Sequence, residues 1–334
     1  MTHRPVRAGV IGAGLMGRVH VEAAARAGAT IVAVADPDAE RARKLAQSIG
    51  GSCQAVAAER ITAPGFVDAL HVCTPPGDHF AACESALRSG IHVLCEKPVA
   101  PAAREVEALL ALARESRVHL CPVHQFPFQS GMRRIVEQAS SLGTVKHMHA
   151  EICTAGGEGM SDDRRHQVAL DIIPHPLSLF GVFSTTRLQD VEWRVSTVSY
   201  GEVIVSGVSG NTGLSFLLST SGRPTSNSLR VMGDKATATA DLFHGFAVIE
   251  RGSVSRLAKA TRPFVASALT LGSAAANGLR RSFTAETAFP GLRELVSRFY
   301  GAVRGEAATP ISPDATADIA IARDRIMSLI QLGS

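Results

Sequence analysis

The chain has 334 residues, 46% of them apolar, 19% charged and 5% aromatic, with a formal charge of +4. That length exceeds one compact core and suits two domains, and that apolar content excludes a disordered chain. The basic residues are spread without a run that would outline a nucleic-acid face, so no nucleic-acid partner is expected, and mild basicity suits an anionic cofactor.

In chain order, residues 6–11 form a short apolar run followed by Gly12-Ala13-Gly14-Leu15-Met16-Gly17 and a helical pattern over 19–27. A second apolar strand at 30–35 then ends in Asp36. Gly12 permits a tight turn, Gly14 lets backbone approach a pyrophosphate, and Gly17 lets the helix close on the strand. The helix's first amides, beginning with Leu15 and Met16, then face the phosphates. Strand, glycine turn, helix, strand and an acid about 20 residues on appear in order, which is far more specific than the glycines alone. A carboxylate at position 36 accepts from the ribose 2′-hydroxyl and repels a 2′-phosphate, so NAD is favoured over NADP, although Arg41 and Arg43 keep the other open. Asp36 as a helix cap is compatible with that role.

The alternation continues with strands at 69–73, 91–94 and 118–123 and helices at 78–89 and 102–115. Such short apolar strands imply burial on both faces of a parallel sheet, whose ligands bind outside the carboxyl ends of the strands. That edge collects Gly12, Asp36, Thr74-Pro75, Glu96-Lys97 and His124-Gln125. A lysine at such a strand end, with a carboxylate beside it, is placed to point into a crevice. Six cysteines, Cys53, Cys73, Cys83, Cys95, Cys121 and Cys153, form no C-x-x-C pair and read as small buried hydrophobes of a reducing compartment.

The order of these motifs, with His79 four residues after Pro75 and Glu96-Lys97-Pro98 following, resembles the glucose–fructose oxidoreductase/inositol dehydrogenase/rhizopine-catabolism (Gfo/Idh/MocA) family. Weaker echoes are Leu142-Gly143-Thr144-Val145, Asp171 with His175 four residues on, and Gly233-Asp234-Lys235-Ala236. The resemblance implies an α/β Rossmann domain with a doubly wound parallel sheet over residues 1–123. An α+β domain with a large open, mainly antiparallel sheet follows over 124–334, with a C-terminal helix able to pack back on the first. It implies a homodimer or homotetramer formed through that second sheet. It also implies cofactor contacts from Gly12, Gly14, Leu15, Met16, Gly17, Asp36, Thr74, Pro75, His79, Glu96, Lys97 and Gln125, and a substrate site lined by Lys97, Asp171 and His175.

Removing hydride from a carbinol carbon requires loss of the hydroxyl proton, and a histidine with a pKa of about 6.5 suits that near neutral pH. Lys97 would hold the same oxygen, Glu96 would position Lys97, and Asp171 would orient the histidine or bind a neighbouring hydroxyl. Which of Lys97 and His175 moves the proton is left open. Residues four apart share a helix face, and with Asp171 as N-cap, Pro174 falls harmlessly in the first turn while Pro176 needs a local distortion. The chain departs from the family where His166-Gln167-Val168-Ala169-Leu170 replaces a glycine-rich approach, Ile173 a small residue and Ser178 an acid. Gln125-Phe126-Pro127-Phe128 adds aromatic surface suited to a substrate less hydrophilic than a free sugar. Blander roles stand beside these: His175 as a core or capping histidine, His79 shaping the crevice, Glu96 as a structural partner of Lys97. His147 and His149 share a strand face but lack a third ligand, so no metal is expected.

Residues 191–221 and 228–251 read as several antiparallel strands of a half-exposed sheet. Residues 257–283 suit a helical hairpin, an interface helix or a membrane-surface segment with basic flanks; their Gly, Ser and Asn favour a packing or lid helix. Residues 291–305 and Pro313–Leu332 read as amphipathic helices. No segment reaches the roughly 20 apolar residues of a membrane span and no secretory h-region follows Met1, so a cytoplasmic protein without stable membrane insertion is expected. The leading function is an NAD-dependent dehydrogenase or reductase acting on a hydroxylated small molecule such as a polyol, sugar or sugar-derived intermediate. An enzyme using bound NAD transiently and a dinucleotide-binding redox sensor or scaffold are the rivals.

Overall fold

The computed structural model describes residues 4–252, 255–284 and 289–332. Two compact units emerge: one groups the chain up to His124 with Leu292–Ala320, the other Gln125–Gly291 with the residues from Ile321 onward.

In the first unit, strands β1 (Arg7–Ile11), β2 (Thr30–Ala35), β3 (Gln54–Ala55), β4 (Ala69–Val72), β5 (His92–Cys95) and β6 (Leu120–Pro122) alternate with helices. These are α1 (Leu15–Arg26), α2 (Ala39–Ile49), α3 (Ala58–Ile61), α4 (His79–Arg88) and α5 (Ala103–Glu115). All five pairings are parallel, in the order β3-β2-β1-β4-β5-β6. This is the doubly wound arrangement, and its order reverses where β1 meets β4. Every residue of β4 is buried, as a central strand covered by helices on both faces must be. On α5, Val106, Leu109, Leu110 and Ala113 are buried, the i, i+3, i+4, i+7 stripe of a helix lying on a sheet.

With a boundary expected after residue 123 and a C-terminal helix able to pack back on the first domain, the first unit here runs to His124 and takes in Leu292–Ala320. The reason is local: the helix at Leu292–Val303 buries Leu295, Val296, Phe299 and Tyr300, and Ala317 and Ala320 pack on the core formed by Leu70, Val93 and Leu109.

The second unit has a seven-stranded sheet built from β7 (Val145–Cys153), β8 (Arg194–Ser199), β9 (Glu202–Ser209), β10 (Thr212–Ser219), β11 (Ser226–Gly233), β12 (Ala236–Asp241) and β13 (Phe246–Arg251). The order is β13-β12-β11-β7-β10-β9-β8, antiparallel except for the central β7–β10 pair. On β7, Met148, Ala150 and Ile152 are buried while His147, His149 and Glu151 are half-buried on the other face, the period-2 pattern of a sheet with one covered side. Helices α6 (Ser130–Glu137), α7 (Asp162–Ile172), α8 (Pro174–Phe183) and α9 (Arg256–Thr284) complete the unit. The segment at 257–283 is one helix rather than a hairpin. Ser273 and Asn277 of α9 donate to the Ala247 and His244 carbonyls, while Leu257, Phe264, Leu271 and Phe283 are exposed. The last helices are α10 (Leu292–Val303) and α11 (Pro313–Leu332).

Candidate active site

The first unit builds its site where β1 gives way to α1. Gly12 has φ +99° and its amide donates to the Ala35 carbonyl at 2.8 Å, so the turn is tied to β2. A Cβ on Gly12 would lie 2.5 Å from the Cys73 carbonyl oxygen, and one on Gly17 would collide with the Gly12 carbonyl oxygen. These glycines are required by the protein's own packing. Gly14 differs: nothing lies within 4 Å of a Cβ built there. It precedes α1 without a side-chain cap, and the first turn carries no acid. A helix N-terminus with uncapped amides beside open space is a fitting seat for a pyrophosphate.

Asp36, half-buried at the end of β2, accepts from the Ala13 amide through Oδ2 at 2.7 Å and from the Asp38 amide through Oδ1 at 2.8 Å. An ionised carboxylate offers about four lone-pair sites, so it stays able to accept from a ribose hydroxyl while its orientation is fixed. Arg41 and Arg43 pair with Asp38 and Glu40 on the exposed face of α2. Thr74, at the end of β4, holds a buried hydroxyl oxygen without a hydrogen-bond partner among the described residues. Pro75 is exposed and Leu15 is 71% exposed, leaving the rim of the turn open.

His79 sits inside this edge, with Nε2 2.8 Å from the Thr74 carbonyl and Nδ1 2.7 Å from the Pro98 carbonyl. The ring lies between these two carbonyl oxygens and ties the turn after β4 to the turn after β5. The Lys97–Pro98 peptide is cis.

Glu96 accepts from the Lys97 amide at 3.1 Å and is held from behind by His20 Nε2 at 3.1 Å. Burial opposes its ionisation, but the hydrogen bond from His20 and the charge of Lys97 outweigh it and hold the carboxyl below the usual range. His20 Nδ1 lies 2.9 Å from His71 Nδ1, and His71 Nε2 lies 2.7 Å from the Tyr300 hydroxyl. Nearby His124 is buried, and its pKa is pushed down to about 4 by burial, with the Lys97 charge adding and Glu96 opposing. A neutral imidazole therefore accompanies the half-buried Lys97.

His124 falls on the strand edge expected to meet ligands, whereas His20, His71 and Tyr300 have no site role in the sequence reading. His20 follows Gly17 by three on the buried stripe of α1, a polar residue at an apolar position, and that was the available signal. Tyr300, 229 residues from its partner, left none.

Asp171 and His175 lie in the second unit. The expectation that Asp171 caps one helix whose face it shares with His175 is corrected. Asp171 is in the last turn of α7, Ile173 intervenes, and His175 is in the first turn of α8. Pro174 and Pro176 bring no N–H to the ladder, so the helix is interrupted where they enter. Asp171 accepts from Gln167 at 2.8 Å, and the His175 ring packs on Phe126 with centroids 4.5 Å apart. Ser178 donates to the His175 carbonyl at 2.7 Å. Gln125 is buried at the start of this unit. His147 and His149 both meet Ser215 Oγ, at 3.0 and 2.9 Å, and among the described residues no group of three or more His, Cys, Asp or Glu could hold a metal ion. Among the same residues no helix is long and apolar enough to cross a membrane.

The strand order, the glycine turn and Asp36 define the first unit as a dinucleotide-binding Rossmann domain. Residues 6–124 match GFO_IDH_MocA, described as the oxidoreductase family with an NAD-binding Rossmann fold. The chain is 40% identical over 156 residues to inositol 2-dehydrogenase 4 of Saccharopolyspora erythraea, covering 45% of this chain and 46% of that protein. It is 37% identical over 147 residues to UDP-N-acetylglucosamine 3-dehydrogenase of Acidithiobacillus ferrooxidans, covering 44% and 45%. The chain thus spans a little under half the length of these curated relatives. Its fold is that of the WlbA dehydrogenase from Bordetella pertussis, solved in complex with NADH and UDP-GlcNAcA. The TM-score is 0.78 at 15% identity, over 100% of this chain and 98% of that one.

Proposed function

We propose that the protein is an NAD(H)-dependent oxidoreductase that transfers hydride between nicotinamide and a carbinol or carbonyl carbon of a polyol, sugar or sugar-derived intermediate. The observation that carries this reading is the pairing of an uncapped α1 N-terminus beside the open space at Gly14 with a fixed carboxylate at Asp36. The amides of Leu15, Met16 and Gly17 hold the pyrophosphate, Asp36 takes the adenosine ribose, and the Thr74 hydroxyl, Pro75 and Gln125 complete the cofactor contacts. NAD is preferred over NADP, since Asp36 repels a 2′-phosphate and Arg41 and Arg43 already have acidic partners on α2.

When bound, the nicotinamide supplies or accepts the hydride. Lys97 holds the substrate oxygen and stabilises its developing negative charge. His175 takes the hydroxyl proton in oxidation and returns it in reduction, with Asp171 orienting it or binding a neighbouring hydroxyl. Phe126 gives His175 an apolar wall, which fits a substrate carrying some apolar surface. The relatives named for inositol and UDP-N-acetylglucosamine support a ring bearing several hydroxyls. We place the enzyme in the cytoplasm as a homodimer or homotetramer formed through the second sheet, on which Val198, Ile204 and Val208 are exposed.

The test is NADH formation across polyols, sugars and sugar nucleotides. Turnover on one class, lost in Lys97→Ala and His175→Ala with NAD binding kept, is the expected result. NAD binding without turnover on any of them would put the sensor or scaffold reading ahead.

A further inference from the structure

Behind Glu96, four hydrogen-bonding side chains form an unbroken line through the first unit. It starts at Tyr300 on α10, passes through His71 on β4 and His20 on α1, and ends at Glu96 after β5. His20, His71 and Tyr300 are at most 1% exposed, and the hydride-transfer roles proposed above use none of them. Apolar side chains would fill these positions without the desolvation cost of polar groups, so a continuous polar line ending beside Lys97 has to be explained by what it does to Glu96.

Its direction follows from its ends. An ionised carboxylate only accepts, so His20 gives it the Nε2 proton. With one proton on the ring, His20 Nδ1 accepts, which obliges His71 to carry its proton on Nδ1. His71 Nε2 then accepts in turn, and Tyr300 donates its hydroxyl proton. Every link therefore points toward Glu96. Burial favours this state: it is the largest cause holding His71 well below the ordinary imidazole range, and it raises Tyr300 so that the phenol keeps its proton. A second proton on His20 would force its Nδ1 to donate, turn His71 round and remove the acceptor of the Tyr300 hydroxyl.

We infer that His20 is a positioning residue for the hydride-transfer reaction, oriented by His71 and Tyr300 and acting through Glu96 on the turn that carries Lys97. Glu96 has one oxygen on His20 and the other on the Lys97 amide, so fixing the carboxylate fixes the lysine's backbone. His20 also stands three residues after Gly17 on the helix whose first amides face the pyrophosphate. The phosphate end of the cofactor site and the lysine are thereby set by one rigid element. Misplacing a reacting group by about 1 Å can cost on the order of a hundredfold in rate, which is the scale such a device protects.

The inference rests on the oxidoreductase reading, and the experiment separates the two. In the full chain, His20→Leu should lower kcat about tenfold or more while KM for NAD stays within about twofold, and His20→Gln, which keeps a donor for Glu96, should recover most of the loss. Independently of turnover, nitrogen NMR of the imidazoles at neutral pH should find both rings neutral, with the proton on Nε2 of His20 and Nδ1 of His71. Tyr300→Phe should change the His71 signal. A wild-type enzyme that turns over substrate, with kcat unchanged in a folded His20→Leu, overturns the inference alone. So does a doubly protonated His20, or a His20→Gln no better than His20→Leu. A wild-type protein with no turnover overturns the oxidoreductase reading and this role with it.

Discussion

Gly12 and Gly14 stand two residues apart in one turn and are expected to fail in opposite ways when changed to alanine. A methyl on Gly12 would sit 2.5 Å from the Cys73 carbonyl oxygen, 2.6 Å from its carbon and 2.9 Å from the Thr74 nitrogen. Those atoms are backbone at the end of β4, which is buried and paired on both sides, so they cannot swing away as a flexible side chain would. The backbone at φ +99° adds strain that an L residue does not relieve. Left-handed backbone costs about 1–2 kcal/mol, and overpacking a dense site typically about 1–3 kcal/mol. Gly12→Ala should therefore remove about 2–5 kcal/mol from a unit whose whole stability is of order 5–15 kcal/mol. At Gly14, φ is −74° and nothing lies within 4 Å of the added methyl. The loss of stability there should stay at about 1 kcal/mol or less, the scale of an altered helix cap. The same methyl would occupy the space through which the pyrophosphate reaches the amides, so the NAD dissociation constant should rise about tenfold or more, or about 1.4 kcal/mol. Urea unfolding followed by far-ultraviolet circular dichroism gives the first quantity, and calorimetric titration with NAD the second. A Gly14→Ala protein that binds NAD as the wild type does would refute the pyrophosphate placement. A Gly12→Ala protein with an unchanged urea midpoint would refute the steric argument.

Asp36→Ala should shift the ratio of NADP to NAD affinity toward NADP by about tenfold or more, read from paired titrations; no shift would remove the ribose role of Asp36. Lys97→Ala should lower kcat by about a hundredfold to a thousandfold at little change in NAD affinity, measured on whichever substrate the panel identifies. Stability should also fall with acidity. His124 is held at about 4 by burial, with the Lys97 charge adding and Glu96 opposing, whereas an unfolded imidazole titrates near ~6.5. The unfolded chain therefore takes up the proton first, and this residue alone should cost on the order of 3 kcal/mol as pH drops from about 6.5 to 4. Glu96, depressed in the folded state, adds a loss at lower pH as it protonates. Urea midpoints followed from neutral pH down to about 4 should show the decline, and a His124→Gln protein as pH-sensitive as the wild type would count against it.

Most of the first unit was legible from local pattern. Buried parallel strands read as apolar runs, helices as i, i+3, i+4 stripes, and the glycine turn with a later acid marks the cofactor edge because each of those residues has a backbone or charge requirement of its own. The same reading failed at Asp171 and His175, where one helix capped by Asp171 was expected and the two prolines instead separate α7 from α8. At residues 257–283 a packing or lid helix was favoured over a hairpin, and the contacts that hold the single helix, from Ser273 and Asn277 to backbone carbonyls of the sheet, left no trace in the local pattern. What only the tertiary structure decided are the relations between side chains far apart in sequence. Chain order alone did not indicate that His79 lies between the carbonyls of Thr74 and Pro98, or that Glu96 is backed by His20, His71 and Tyr300. A local pattern reports what each residue needs from its own backbone. The partner that satisfies a buried polar group is chosen by packing, from elements that may lie anywhere along the chain.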